Sequence, residues 1–373
     1  MPAHTNSNAR YLNTTEVDSA LVRLAGAYPQ LSRLVALPEP SVEGVTCHAL
    51  EIGSTPDGGK DCVVLTGGVH AREWGSCEVL VLLAADLLEA YRRGTGLAYG
   101  GTRFDAAQVR ALLDGLSVVV FPLVNPDGRH YSQTADPMWR KNRNRAHASG
   151  GPACVGVDIN RNFDFLFDFT TAFAPNAGPR VSDDPCDYQT YQGPHPFSEP
   201  ETRNVRWLLD TYAGTRWFVD VHSYSEDMLY IWGDDENQSA DPDQNFRNPH
   251  YDGKRGLPHD TAYAEYIPES DADTALELAQ EFCAGLHGVR GGTYTPMSGF
   301  HLYPTCGTSD DYAYSRHIVD GSKSKVLAFT IEWGKEDPNS DAASFHPPWA
   351  EMQRIVKDVD AGLVRFCLAA LKT

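Results

Sequence analysis

The chain has 373 residues, 42% of them hydrophobic, with 50 acidic and 31 basic side chains and a formal net charge of −19. This length buries a large core and allows one to three domains, while the acidic surplus excludes nucleic acid and anionic membranes as main partners and favours cationic peptides at long range. No window reaches the roughly 18 consecutive apolar residues of a membrane helix, and residues 1–10 are polar with no apolar secretion-signal core, so the chain as written reads as a soluble protein behind a disordered tail over residues 1–10.

From residue 11 onward, short apolar runs alternate with helical patterns. Residues 45–52 and 63–65 read as strands, 78–91 as a helix, 118–121 as a strand, 199–212 as a helix, 218–221 as a strand, 274–286 as a helix, 326–331 as a strand and 349–371 as a closing helix. The strands are short, rich in β-branched or aromatic residues and bounded by polar or glycine positions; the helices repeat apolar residues three and four apart. Such alternation predicts one α/β domain over residues 11–373, with helices on both faces of the sheet. One stretch, residues 233–269, is polar, rich in Asp, Asn and Pro and weakly periodic. It reads as a long surface excursion, either rimming a cleft or inert.

In α/β sheets, sites gather at strand ends, and His70, His222 and Glu332 each closely follow an apolar run. The pattern H-x-x-E occurs twice, at His48/Glu51 and His70/Glu73. The first lies in a strand, where residues three apart point to opposite faces. The second lies on a turn opened by Gly67-Gly68, where the backbone can curl both side chains to one point. Taken alone it also suits a loop ion pair. With His222 it makes two imidazoles and one carboxylate, a set that leaves the fourth position of a zinc ion open, as catalytic sites do. The eight cysteines contain no C-x-x-C pair, which argues against a zinc ribbon.

Six ordered segments carry a family resemblance: His70-Ala71-Arg72-Glu73-Trp74, Asn125-Pro126-Asp127-Gly128, Met138-Trp139-Arg140-Lys141-Asn142-Arg143, the stretch from Gly156 to Asp164, Val221-His222-Ser223-Tyr224-Ser225, and the stretch from Tyr303 to Glu332. Together they resemble zinc carboxypeptidases of the pancreatic A/B type. The resemblance implies a carboxypeptidase-like fold with a mixed parallel and antiparallel twisted sheet, one zinc ion per chain on His70, Glu73 and His222, and peptides with a free C-terminus as substrates. It implies that Glu332 shuttles the proton and that Arg140 polarises the scissile carbonyl; the adjacent basic run Lys141, Arg143 and Arg145 reads by itself as solvated charge.

For substrate recognition, the resemblance implies that Arg161 with Asn160 reads the terminal carboxylate, Arg72 guides it, and Tyr303 folds over the substrate. Asp158 would orient the first zinc histidine, unless it is only a turn or helix-cap residue. Counting on from Tyr303, Asp310 takes the floor of the specificity pocket, which marks the B-type and a preference for C-terminal Lys or Arg; the other reading is a helix cap. Cys154 and Cys186 match a disulfide of the pancreatic enzymes, which would favour an oxidising compartment, whereas the six other thiols lean the other way. A leader and pro-segment, present in many relatives, would be absent or trimmed. The chain departs from the pattern at Trp333-Gly334-Lys335-Glu336, where the pancreatic enzymes have Leu-Arg-Asp, and in the excursion from Gly233. A zinc amidase would not need Asn160, Arg161 and Tyr303 together, and a metal-free binding relative would have lost a ligand, Arg140 or Glu332.

Overall fold

Apolar runs without polar alternation must be covered on both sides, and the structure, a computed structural model describing residues 11–56 and 59–373, places them side by side in the middle of one sheet. The tail expected over residues 1–10 lies outside the described residues. The strands are β1 (Ser32–Ala36), β2 (His48–Ile52), β3 (Asp61–Gly67), β4 (Leu97–Tyr99), β5 (Thr102–Phe104), β6 (Leu116–Phe121), β7 (Thr215–His222), β8 (Asp227–Tyr230), β9 (Asn237–Gln238), β10 (Glu265–Tyr266), β11 (Thr295–Ser298) and β12 (Leu327–Glu332). Eight form a mixed sheet in the order β1-β2-β6-β3-β7-β12-β8-β11. The pairs β6/β3, β3/β7, β7/β12 and β8/β11 are parallel, whereas β1/β2, β2/β6 and β12/β8 are antiparallel. Consecutive residues Val63, Val64 and Leu65 are all fully buried, as are Val118, Val119 and Val120. Both faces of the centre are therefore covered.

Helix Trp349–Ala370 packs on helices Gly75–Arg93 and Glu269–Arg290, which pack on the sheet, and helix Ser309–Val319 packs on β7 and β12. Their ends follow local chemistry. Asn13 and Glu16 form a reciprocal capping box at the start of helix Thr14–Ala27. Gly94, at φ 63°, closes helix Gly75–Arg93 in the left-handed conformation that glycine adopts freely. Helix Glu269–Arg290 starts earlier than the apolar spacing predicts, because its first turn is polar, with Glu269 and Asp271 at the positive end of the helix dipole. No described helix is long and apolar enough to cross a membrane.

The stretch 233–269, read as a surface excursion, is exposed at many positions but rests on a buried polar base. Asp234, Asp235, Arg255 and Glu265 are at most 1% exposed. In three of the four, polarity serves the irregular backbone: Asp235 accepts from Gly256 N, Glu265 accepts from Phe246 N, and Arg255 reaches the carbonyls of Asn245, Phe246 and Asn248. Burial, then the neighbouring Asp234, pushes the Asp235 carboxyl up to about 8. Part of the polar composition thus serves the buried base, and part faces solvent.

What positions the site is that three strands end level. Gly67 of β3 pairs with Val221 of β7, and Glu332 of β12 pairs with His222 of β7. Immediately after β3 the chain turns at Gly68, with φ 64°, where an added Cβ would lie 3.0 Å from both Cys77 Sγ and the Pro122 carbonyl oxygen. Gly68→Ala is expected to destabilise the protein by about 1–3 kcal/mol through the left-handed strain and this crowding; an unchanged urea midpoint would refute the requirement.

Candidate active site

The turn that carries His70 is pinned from two sides. Asn125 donates to the carbonyls of Val69 and Lys141 while its Oδ1 caps helix Pro126–Thr134 at Gly128 N, and Ala71 N donates to the Arg140 carbonyl at 2.9 Å. Within the turn, Glu73 N donates to the His70 carbonyl, folding both side chains inward. His70 Nδ1 lies 2.8 Å from Glu73 Oε1, and His222 Nδ1, from the end of β7, lies 3.0 Å from both His70 Nδ1 and Glu73 Oε2. All three residues are buried. Among the described residues, no other three His, Cys, Asp or Glu side chains converge in this way. The other H-x-x-E copy separates as its strand geometry dictates: His48 meets Asp18, while Glu51 meets Arg33 and Ser117.

Zinc–nitrogen bonds of about 2.0–2.1 Å hold donor atoms roughly 3 Å apart, and the three donors have that spacing. Asp158 Oδ1 lies 3.2 Å from His70 Nε2, placed to hold the ring proton there when Nδ1 offers its lone pair to a metal. Buried acceptors facing one another need a cation or protons between them. The donor set fits a zinc ion. Burial and then Arg140 hold His70 below the usual imidazole range. Burial opposes a charge on His222 too, but Asp220 and Glu73 outweigh it and raise that imidazole well above its usual range. For Glu73, burial is outweighed by the two histidines, which lower it.

Asp158 is shared. Its Oδ2 accepts from Arg140 Nε and Nη2 at 3.0 and 2.9 Å, so one wholly buried carboxylate aligns both His70 and Arg140. Burial would raise Asp158, yet Arg140 and His70 hold it well below the usual carboxylate range. The solvation expected for Arg140's neighbours is corrected in two of three cases. Lys141 is fully buried, donating to the carbonyls of Ala153 and Asp187, and Arg143 is buried over the Tyr131 ring at 3.6 Å. Their charge cannot be told from solvated charge in sequence, because the carbonyls and rings that receive it come from elsewhere in the chain; Arg145 alone is exposed.

Glu332, on the last position of β12, is partly buried. Burial, then the nearby Glu73, pushes it up to about 8 against the pull of His222 and Arg140. Tyr303 lies within electrostatic reach of Arg140. Arg72 stacks its guanidinium 4.2 Å from the Phe345 ring centre. Arg161 donates from Nε and Nη1 to the carbonyls of Arg180 and Asn160, so part of its fork is already engaged by backbone. Asn160 Oδ1 accepts from Ser309 N at 2.8 Å. Asp310 is buried in the first turn of helix Ser309–Val319 but is not its cap, which is Thr308; it accepts from Asp311 N and from the Thr330 hydroxyl, both at 2.9 Å. The disulfide Cys154–Cys186 is present.

Residues that sequence reasoning missed are Thr330, Ser309, Phe345 and Asp220. The one readable signal was Asp220-Val221-His222, whose alternation puts Asp220 and His222 on one face of a strand.

A family model described as zinc carboxypeptidase matches residues 17–361. Carboxypeptidase B of Astacus astacus is 30% identical over 330 residues, 86% of each chain. Carboxypeptidase A4 of Mus musculus is 27% identical over 320 residues, covering 85% of this chain and 60% of its own length. Among solved structures, carboxypeptidase A from Helicoverpa armigera matches with a TM-score of 0.73 at 20% identity, over 100% of this chain and 78% of that one, a likeness of fold.

The raised carboxyl of Glu332 fixes the sign of one pH effect. Its folded value of about 8 exceeds the ordinary carboxyl value, so its contribution to stability is full below the unfolded pKa and is lost as pH rises through about 8. In chelator-treated protein, Glu332→Gln, neutral at every pH, is expected to gain stability relative to the parent from about pH 5 to about pH 9, measured by urea unfolding. A pH-independent difference would contradict the assignment.

Proposed function

The chain belongs to the zinc carboxypeptidase family, and from that premise we propose that it hydrolyses the last peptide bond of peptides and proteins, preferring C-terminal Lys or Arg. The observation that carries this reading is the buried convergence of His70, Glu73 and His222 beside Glu332. Those three side chains would hold one zinc ion per chain. When bound, such an ion supplies Lewis acidity and lowers the pKa of water to about 7.

The remaining work belongs to the chain's own side chains. Arg140, held by Asp158, would direct guanidinium hydrogens at the scissile carbonyl and hold the negative charge that develops there. Glu332, raised by its burial, would accept a proton from the attacking water and pass it to the leaving amine, the two-way task for which a carboxyl pKa near neutrality suits. Arg161 and Asn160 would receive the terminal carboxylate, since a planar guanidinium matches a planar anion, with Arg72 guiding it and Tyr303 covering the substrate.

The preference for basic residues rests on Asp310. No Lys, Arg or His pairs with it among the described residues, and a buried carboxylate gains most from a cation; a substrate ammonium or guanidinium supplies one. The competing reading, a pocket for neutral side chains, is favoured by the two hydrogen bonds that already hold Asp310.

Matched short peptides ending in Arg or Phe separate the two. The Arg peptide is expected to have the higher kcat/KM, and Asp310→Ala to cut that advantage by about 10- to 100-fold, the worth of a hydrogen bond to a charged group; an equal preference in the parent would favour the neutral pocket. Glu332→Gln is expected to retain substrate binding while kcat falls by about 10²- to 10⁴-fold, followed by release of the terminal residue in mass spectrometry. A near-normal rate would remove Glu332 from the proton path.

A further inference from the structure

Behind the metal ligands lies a carboxylate that the reaction scheme does not use. Asp220 precedes His222 by two positions on β7 and is wholly buried. Its Oδ1 accepts the Thr66 hydroxyl of β3 at 2.8 Å, and its Oδ2 accepts the Ser309 hydroxyl at 2.7 Å. The same Oδ2 lies 3.0 Å from His222 Nε2, in a bent contact, and no other acceptor among the described residues meets that nitrogen. Ser309 in turn donates its backbone N–H to Asn160 Oδ1. An unbroken chain of contacts therefore runs from His222 through Asp220 and Ser309 to Asn160.

For His222 to offer Nδ1 to a metal, its proton must sit on Nε2, and a buried ring N–H without an acceptor is costly. Asp158 meets this need for His70; Asp220 is placed to meet it for His222. Charge points the same way. With both imidazoles neutral, the buried carboxylates of Glu73, Asp158 and Asp220 outnumber the nearby buried guanidiniums of Arg140 and Arg161, an excess of negative charge that a cation offsets. The two hydroxyls of Thr66 and Ser309 hold Asp220 without neutralising it and leave lone pairs for the His222 N–H.

We propose that Asp220 is a positioning residue for the second imidazole ligand, and that through Ser309 it ties the metal centre to Asn160 and to the helix carrying Asp310. This rests on the metal-site reading above, and the experiment separates the two. Zinc affinity is measured by competition with a chromophoric chelator, on the full chain, for the parent, Asp220→Asn and Ser309→Ala. Asp220→Asn is expected to weaken zinc by about 10- to 100-fold, and Ser309→Ala, which removes one anchor of the carboxylate, by about 2- to 10-fold.

A general loss of structure would not discriminate between the two histidines, so the Nε2–H proton resonances of the zinc-loaded protein provide the second readout: that of His222 is expected to move in Asp220→Asn while that of His70 stays. Should Asp220→Asn fail to fold, Thr66→Ala and Ser309→Ala carry the same test, each weakening zinc and shifting only the His222 proton. Parent-like zinc affinity in the variants, with an unmoved His222 proton, would overturn the role of Asp220 and leave the metal site standing. A parent that takes up no stoichiometric zinc would overturn both.

Discussion

A costly arrangement governs this molecule: a buried carboxylate and two buried imidazole nitrogens about 3 Å apart. Such a cluster does not hold itself together; the backbone must impose it. The imposition comes from three parallel strands ending level, so that His222 and Glu332 face each other across a strand pair and the turn after β3 delivers His70 and Glu73 to the same edge. The apolar interiors of those strands supply the rigidity: β3, β7 and β12 are buried along nearly their whole length, and sliding any of them by one residue would turn every buried side chain to the other face.

Around this edge, carboxylates align what the ligands and cations cannot align alone. Asp158 holds His70 with one oxygen and Arg140 with the other. That sharing makes His70 and Arg140 one rigid unit, since a shift of Asp158 disturbs both. Asn160 extends the unit: its backbone N–H donates to Asp158 Oδ1 and its side chain accepts from Ser309 N, at the start of the helix that carries Asp310. Binding of the substrate's terminal carboxylate and of its side chain would therefore act on neighbouring links of one hydrogen-bonded frame.

The strands with unbroken apolar runs were legible in sequence because burial on both faces leaves no polar alternation, and the helices because their spacing is strong. The ligand turn was legible through Gly67-Gly68, since two glycines after an apolar run announce a sharp change of direction. What could not be read is polarity turned inward. Lys141, Arg143, Asp235 and Arg255 look like surface charge until the carbonyls, rings and backbone amides that receive them are brought in from other positions. Asp220 was hidden differently, inside an apolar run where a single polar residue resembles an interruption. Its partners Thr66 and Ser309 lie 154 and 89 positions away.

The departure from the family pattern after Glu332 illustrates why local sequence difference is a poor guide to local geometry. Trp333 replaces a different side chain, yet it is fully buried; its N–H donates to the His222 carbonyl at 2.8 Å and its indole to Ser76 Oγ at 3.0 Å. Gly75, at the start of the helix beneath, leaves room for it, since a Cβ there would come within 2.7 Å of the indole. Gly334 then turns at φ 75° and donates to the Tyr294 hydroxyl. The rebuilt segment thus locks the end of β12 through a large aromatic plug instead of releasing it. The indole's bond to Ser76 and its seat over Gly75 thereby anchor the strand end that carries Glu332.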